Sequence, residues 1–401
     1  MFSKDFIRSA TKNLLCEFIF PMIEVLDKPR KKFLPQVLTG ILFSGSLSIK
    51  NISRWIQDDC SDIFYRIKRL TNHLVSGRVN LSKALQVYRS RCSDYISADT
   101  PIAIDLTDLA KPRARKMQYL ATVYDGSESK LVKGYWCLEV YAQLKNKRIV
   151  PLALDVFSID DPAVGSRNIR IDRTVKAVNK ALDGKGVWIA DCGFDGLEVY
   201  ETWFSAKVNF VVRQRGDRCV VADNGVKIVQ SQLVERLRQL HMIADKQTDI
   251  VFTKVHLPSQ KKSLYLVASW KRGYEKPLIL MTTMVAENLQ QAKQILWYYK
   301  QRWSCEEAGQ FLKTKVGLER FYVRRYQAIK TLVTLAMLAM GFLTWILLRS
   351  KRVTKALLSM TSRFRKNKPF IYYKLLDGLQ LFVWQQYFRK EKIPIIKQKN
   401  G

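Results

Sequence analysis

The sequence predicts an α/β core that is interrupted by a β-rich insertion and flanked by helical regions on both sides. Two features of the residue pattern indicate this. Apolar residues recur at spacings of three and four up to about residue 98, and short β-branched and aromatic runs replace them after Asp99. The charge balance adds a third observation. With 68 Lys plus Arg against 35 Asp plus Glu, the net charge of +33 predicts a polyanionic partner.

The helical region before the core is predicted to be a domain of residues 1–98. Its clearest helical patterns are LPQVLTGILFSGSLSIKNISRWI and DIFYRIKRLTNHLV, and the second contains Arg66 and Arg69. A solvated helix face would by itself explain such basic residues. In a chain of this net charge, a helical domain that contacts DNA is the favoured interpretation.

The first part of the core is predicted to span residues 99–215. Three strand-like runs come first, and a tight KNK turn joins the second and third into a hairpin. A helix, a strand, a second helix and a further strand follow. The predicted elements are strands at 101–108, 134–144 and 148–158, a helix near 169–183, a strand at 186–191, a helix near 195–206 and a strand at 209–215. This order is typical of a ribonuclease-H-like core.

The helix that should close this core does not follow at once. Residues 216–285 are predicted to form a β-rich insertion, residues 286–352 the closing helices, and residues 353–401 a basic helical C-terminal region. The stretch from Thr331 to Leu348 carries no charge and is about long enough to cross a membrane. We favour a buried core helix, and a membrane span is the alternative.

Carboxylates at strand ends are the main candidates for chemistry. Asp105 follows the apolar run PIAI, and Asp191 follows VWIA in the same manner. Ligands gather at the carboxyl ends of strands in open α/β sheets, although a single Asp there is often only a turn former. The three histidines show no metal-binding spacing and the seven cysteines form no CxxC pair, so any metal is expected on carboxylates.

A third candidate region is WYYKQRWSCEEAGQFLK. If this segment is one α-helix, Tyr299, Arg302, Glu306 and Lys313 project within an arc of roughly 60°, at about 100° per residue. Glu307 projects away from this stripe, so Glu306 is the preferred acid. An ordinary amphipathic surface helix is the alternative interpretation.

The spacing Tyr-x2-Arg-x3-Glu-x6-Lys resembles the signature of insertion-sequence DDE transposases, in particular the Tn-five-like group, whose ribonuclease-H-like core carries a β insertion. IDLTDLAKPRARK resembles their first catalytic-Asp region and VWIADCGFDG the second, with Cys192 where relatives commonly have Arg. The N-terminal helices resemble their DNA-binding region. The resemblance extends over about residues 35 to 330.

The resemblance implies that Asp105, Asp191 and Glu306 are catalytic and bind two Mg²⁺ ions, for which Mn²⁺ can substitute. It further implies cleavage at transposon ends, strand transfer of the 3′-OH into target DNA, a hairpin intermediate and a homodimeric synaptic complex. The DNA-binding candidates are Tyr299, Arg302, Lys313, Lys111, Arg113, Arg66 and Arg69, and the base-stacking candidates are Trp270 and Trp303. Asp108 and Asp195 are expected to be supporting or turn residues.

Two alternative functions stay open at this point. One is a metal-dependent nuclease or resolvase that cuts without joining, and the other is a domesticated DNA-binding protein without catalysis. The N-terminus has no signal-peptide pattern. We therefore expect no secretion. The resemblance implies a bacterial, cytoplasmic and nucleoid-associated protein that binds double-stranded DNA at terminal inverted repeats and target sites, and we expect no membrane partner.

Overall fold

The computed structural model describes residues 4–56, 62–76, 80–126, 128–245, 248–260, 262–361 and 370–390. The chain divides into two compact units. The first falls within Met1–Tyr88, Ala114–Gln118 and Gly309–Gly401, and the second comprises Arg89–Arg113 and Tyr119–Ala308.

Thirteen α-helices lie in the described residues. They are α1 (Lys4–Glu24), α2 (Lys28–Ser44), α3 (Ile49–Ser53), α4 (Ile63–Val75), α5 (Ser82–Ser93), α6 (Arg167–Ala181), α7 (Leu197–Ser205), α8 (Gln230–His241), α9 (Leu289–Lys300), α10 (Trp303–Phe311), α11 (Tyr326–Arg349), α12 (Lys351–Thr361) and α13 (Ile371–Lys390). A π-helical turn, Leu312–Val316, follows α10.

Twelve strands of the described chain form one sheet, which lies entirely in the second unit. They are β1 (Pro101–Ala110), β2 (Ala121–Asp125), β3 (Lys130–Leu144), β4 (Arg148–Phe157), β5 (Val187–Ala190), β6 (Asn209–Arg213), β7 (Cys219–Ala222), β8 (Lys227–Val229), β9 (Ile243–Asp245), β10 (Thr248–His256), β11 (Leu264–Lys271) and β12 (Leu278–Thr282). The predicted α/β class is confirmed as a mixed fold with a large central sheet.

The first half of the sheet has the strand order β4-β3-β1-β5-β6. The predicted KNK hairpin is present, because β3 and β4 pair antiparallel on either side of residues 145–147. β1 pairs antiparallel with β3 and parallel with β5, and β5 pairs parallel with β6. β2, a short strand that pairs with the first part of β3, was not predicted from the sequence.

The second half of the sheet is built from residues after β6. β12 pairs antiparallel with β6, and the order continues through β11, β10, β7 and β8. The stretch expected to be β-rich therefore adds its strands directly to the core sheet. It also contains α8, a helix that the sequence analysis did not predict.

Helices pack on both faces of the sheet around β5. Trp188 contacts Trp203 of α7 with ring centroids 5.7 Å apart. Val187 and Ile189, which alternate with Trp188, instead belong to a buried cluster with Ile295 of α9. Successive strand residues point to opposite faces, so α7 and α9 cover opposite sides of β5.

The helices of the core have local stop and start signals. Ser166 caps α6 by accepting a hydrogen bond from the Ile169 amide at 3.3 Å, and Asn288 caps α9 through the Gln291 amide. After α6 the chain turns through Asp183 and Gly184, both with positive φ. The helix ends at Ala181, two residues before the predicted end at Asp183-Gly184.

The first unit is helical, and α11 is its most apolar helix. Within the described residues, α11 alone is long and apolar enough to cross a membrane, and 89% of its most apolar 18-residue stretch is buried inside the protein. Phe18 of α1 packs on Phe342 and Trp345 of α11. These contacts agree with the core-helix interpretation.

Candidate active site

Asp105 lies in the middle of β1, not at a strand end as expected, whereas Asp191 directly follows β5. β1 and β5 run parallel, with Pro101 opposite Val187 and Ala103 opposite Ile189. Asp105 and Asp191 each lie two residues after the Ala103–Ile189 pair and continue the same register. Since adjacent strands are separated by about 4.8 Å, this register brings the two residues side by side.

Strand alternation sets the face on which these carboxylates project. Ile189 packs in the buried cluster beneath α9, and Ala103 is its partner on β1. Asp105 and Asp191 follow these two residues by two positions and so share their face of the sheet. The strands thus direct both carboxylates towards the side that α9 covers.

The chain after β5 is shaped around the Asp191 side chain. Asp191 Oδ1 accepts a hydrogen bond from the Gly193 amide at 2.8 Å, in a short 3₁₀ turn over Cys192–Phe194. A Cβ on residue 193 would lie only 3.0 Å from the same oxygen. Glycine therefore permits the close approach that fixes one oxygen of Asp191 and leaves the other available.

Arg302 connects the first aspartate with the predicted glutamate. Its guanidinium donates to Asp105 Oδ2 at 3.2 Å and to Glu306 Oε1 at 2.6 Å. Asp105 Oδ1 accepts from the Leu106 amide at 2.8 Å. Arg302 therefore joins Asp105 to Glu306, and Asp191 lies close enough to Asp105 for its charge to raise the pKa of Asp105.

The helix that carries this arginine is not continuous, contrary to the sequence analysis. α9 ends at Lys300 and α10 begins at Trp303. Between them the amides of Arg302 and Cys305 donate to carbonyls three residues back, at 3.1 and 2.9 Å, which is the tighter 3₁₀ pattern. The assumption of one α-helical projection was wrong, although Arg302 and Glu306 still contact each other.

Burial and like charge act together on Asp105. The pKa of Asp105 is raised to about 6, chiefly by burial and further by the negative charge of Asp191, while Arg302 opposes the increase. For Arg302, burial lowers the pKa, but the charges of Asp105, Tyr299 and Glu306 outweigh it and raise the net value. One guanidinium therefore compensates only part of the negative charge of three carboxyl groups.

Glu139 is an acidic residue near the site that the sequence analysis missed. It lies on β3 directly opposite Asp105 on β1 and is 3% exposed. Its charge and that of Asp105 raise the pKa of the fully buried Cys305 thiol beyond the increase that burial causes. A single acid within the apolar run GYWCLEVYAQL was the available sequence signal.

Tyr299 is half-buried at the end of α9. Burial raises the pKa of its phenol, and the positive charges of Arg302 and Arg213 oppose this effect. Tyr299 is therefore held among cations on the same side of the sheet as Arg302. A phosphate group would experience the same positive surroundings.

The carboxylate chemistry of the site fits a hard divalent cation. Oxygen donors and unbalanced negative charge are what Mg²⁺ and Mn²⁺ require. As the residues stand, the described chain contains no group of three or more His, Cys, Asp or Glu side chains arranged to hold a metal. Arg302 forms ion pairs with one carboxylate oxygen of Asp105 and one of Glu306.

The predicted basic residues have different surroundings. Lys111 is 7% exposed at the end of β1, whereas Arg113 is exposed. Lys313 lies in the first unit, in the π-helical turn, and forms an ion pair of 3.3 Å with Glu319. In α4, Arg66 and Arg69 are partly exposed, and Arg69 donates to Gln36 at 3.1 Å.

The two tryptophan candidates differ sharply in exposure. Trp270 is 2% exposed on β11, with the Arg238 guanidinium 4.8 Å from its ring centroid. Trp303 is 64% exposed at the start of α10 and so presents an aromatic face to solvent. Of the two, only Trp303 is accessible to a base.

Asp195, one of the two aspartates near the predicted catalytic acids, contacts arginine residues of the following segment. Asp195 forms an ion pair with Arg218 at 3.1 Å and accepts from the Arg215 amide at 3.3 Å. Asp108 is 7% exposed on β1. The contacts of Asp195 are those of a residue that fixes a turn.

Comparison with known proteins places this site in context. Residues 162–342 match the family model described as the transposase DDE domain, a range that includes Asp191, Arg302 and Glu306 but begins after Asp105. No curated protein matches the chain significantly.

Seven chains from solved structures match. One is from the cryo-EM structure of a piggyBac transposase synaptic complex with hairpin DNA, at 12% identity and a TM-score of 0.45, over 91% of this chain and 73% of that one. The family match shows that residues 162–342 are similar to the transposase DDE domain, and it supports a DNA transposase.

Proposed function

We propose that this protein is a cut-and-paste DNA transposase that cleaves the ends of its mobile element and joins the freed 3′-OH to target DNA. One observation carries the proposal. Asp105 and Asp191 continue one register on parallel strands, and Arg302 links Asp105 to Glu306. The family match supports the same class from an independent direction.

The strand order supports a ribonuclease-H-like core with an insertion. β4-β3-β1-β5-β6, with β3 antiparallel to both of its neighbours and β1, β5 and β6 parallel, is the arrangement expected of that core. β7 to β12 then separate β6 from α9, as an insertion before the closing helix would. The Tn-five-like group has this organisation.

In the proposed reaction, Asp105, Asp191 and Glu306 hold two divalent ions, Mg²⁺ in the cell or Mn²⁺ in its place. Such ions would activate the attacking oxygen and stabilise the leaving oxygen of the phosphodiester. Arg302 orients the carboxylates of Asp105 and Glu306, and Tyr299 stands beside it to contact a DNA phosphate. Arg302 can also grip a phosphate through two nitrogens.

The proposed partners are the terminal inverted repeats and the target DNA, bound by a homodimer in a synaptic complex that passes through hairpin ends. The net charge of +33 supports a DNA partner. Lys111, Arg113, Arg66, Arg69 and Lys313 are proposed phosphate contacts. The proposed location is the bacterial nucleoid.

The function is tested with purified protein, Mg²⁺ and the DNA that flanks its coding region. The wild type is expected to cut this DNA and to join pre-cut ends to a target. Asp191→Ala is expected to lose both activities while end binding stays within about threefold. Cutting without joining would indicate the nuclease or resolvase alternative, and binding without either reaction in the wild type would indicate the domesticated protein.

Binding itself gives a second test through its salt dependence. Each phosphate contact releases counterions, so log Kd should change with log salt by about 0.9 per contact on duplex DNA. We expect a slope that corresponds to at least about six contacts, measured by fluorescence anisotropy. A flat response would contradict an electrostatic DNA interface.

A further inference from the structure

A cavity in the first unit has the features of a nucleotide-binding site. It has a volume of about 650 Å³, within the usual range for ligand pockets. Its lining comes from the start of α3, from the last turns of α4 and from residues 322–325, which precede α11. No residue of the carboxylate cluster contributes to it.

The segment of residues 320–325 has an alternating arrangement. Phe321 and Val323 are 1% and 8% exposed, whereas Arg320, Tyr322 and Arg324 between and beside them are exposed. The buried side chains anchor the segment. Its basic and aromatic side chains consequently project outwards together.

Hydrogen bonds fix this segment in place. The Gln118 amide donates to the Arg324 carbonyl at 2.9 Å, and Gln118 Oε1 accepts from the Tyr326 amide at 3.1 Å. Both hydrogen bonds join the segment to Gln118 at the point where α11 begins. The outward face of Tyr322 is presented by a held backbone rather than by an unrestrained loop.

The composition of the cavity indicates the class of its ligand. Tyr322 is 78% exposed, and Lys50, Arg324 and Arg325 supply three positive charges, with no acidic residue among the described residues of the lining. Ile49 and Val75 add an apolar wall. Duplex phosphates alone need neither an aromatic ring nor a cavity, and an apolar ligand needs no cations. A nucleotide can use all three features, because its base stacks on an aromatic ring and its phosphates bind cations.

We propose that this cavity binds an unstacked nucleotide of single-stranded DNA, with the base on the Tyr322 ring and the flanking phosphates on Lys50, Arg324 and Arg325. Stacking on an exposed aromatic side chain accepts any base, because every base has a π-face. This inference rests on the proposed function, because DNA strands separate where a transposon end is processed.

The test compares binding of a single-stranded oligonucleotide and of a duplex of the same length to the full-length protein. Tyr322→Ala is expected to weaken single-strand binding about tenfold and duplex binding less than twofold, because one stacking contact is lost. Tyr322→Phe should retain wild-type affinity, since the ring remains. Tyr124→Ala, which removes another half-exposed tyrosine from β2, should change neither affinity.

A charge variant tests the phosphate contacts separately. Arg324→Gln should reduce the salt slope for single-stranded DNA by about 0.7, the value for one lost phosphate contact. A Tyr322→Ala protein that binds single strands like the wild type overturns the proposal, as does an equal loss for duplex and single strand. A wild type that binds neither form of DNA would instead overturn the proposed function itself.

Discussion

Two acid–arginine sites in the second unit differ in the number of carboxylates that one guanidinium serves. At the first, Arg218 contacts both the side chain and the carbonyl of Asp195, and only 2% of the Asp195 side chain is exposed. At the second, Arg302 bridges Asp105 and Glu306, whose side chains are 24% and 38% exposed, beside Asp191. The first site is balanced in charge, whereas the second has an excess of accessible carboxylates.

The Asp195–Arg218 contact is a structural ion pair, whereas the Asp105 cluster has carboxylate oxygens available to a ligand. A carboxylate whose oxygens are all occupied by protein donors has nothing left to offer a cation. The Asp105 cluster combines restricted positions with incomplete charge compensation, and such sites are where metals and phosphates bind. Substitutions in the Asp105 cluster should therefore reduce DNA cleavage, whereas substitutions at the Asp195–Arg218 pair should reduce stability.

The largest expected effect is that of Asp105→Asn on cleavage. The substitution keeps the size of the side chain and removes the negative charge that a cation requires, so the rate should fall at least about a thousandfold. Cleavage of end DNA in Mg²⁺ measures the rate, and anisotropy checks that binding persists. A rate within tenfold of the wild type would place Asp105 outside the reaction.

Glu306→Gln should lower the cleavage rate about a hundredfold or more, because it removes one acid of the cluster. Glu307→Gln is the matched control on the same helix and should stay within about twofold. The same assay measures both variants. Equal losses for the two would show that the contact with Arg302 does not select the functional glutamate.

At the comparison site, Asp195→Asn should lower the free energy of unfolding by about 3 kcal/mol, because it leaves the Arg218 charge mostly buried without its counter-ion. Urea unfolding followed by circular dichroism measures this change. Cleavage by the folded variant should remain within about fivefold of the wild type. A stable variant with abolished cleavage would reverse the roles of the two sites.

The smallest effect concerns the bridging residue. Arg302→Lys keeps the charge but cannot contact two carboxylates with one planar group, so cleavage should fall about tenfold. Arg218→Lys is the parallel change at the other site and should affect stability only. A cleavage rate of Arg302→Lys within twofold of the wild type would show that the bridge between Asp105 and Glu306 does not contribute to cleavage.

The position of Asp191 after its strand could be predicted because an apolar run followed by an acid is a local pattern, whereas β1 continues to Ala110 and keeps Asp105 in mid-strand. The same pattern identified Asp105 and Asp191 as candidate catalytic residues, and their common register follows from the parallel pairing of β1 and β5. Glu139 was missed because its position opposite Asp105 depends on the pairing with β3, which no local pattern encodes.

Other features depend on interactions between distant segments. The 3₁₀ turn between α9 and α10 interrupts a sequence with continuous helical periodicity, and neither proline nor glycine marks the break. The attachment of the later strands to the core sheet rests on the pairing of β12 with β6, nearly seventy residues apart. The apolar helix before Arg349 was predictable, because its burial follows from composition.

The central claim is that Asp105, Asp191 and Glu306 together bind divalent cations against DNA. It is tested most directly by titrating Mn²⁺ into the protein–DNA complex and counting bound ions by electron paramagnetic resonance. We expect two Mn²⁺ per chain in the wild type, and at most one in Asp105→Asn and in Asp191→Asn. Identical Mn²⁺ binding by the wild type and both variants would contradict the account.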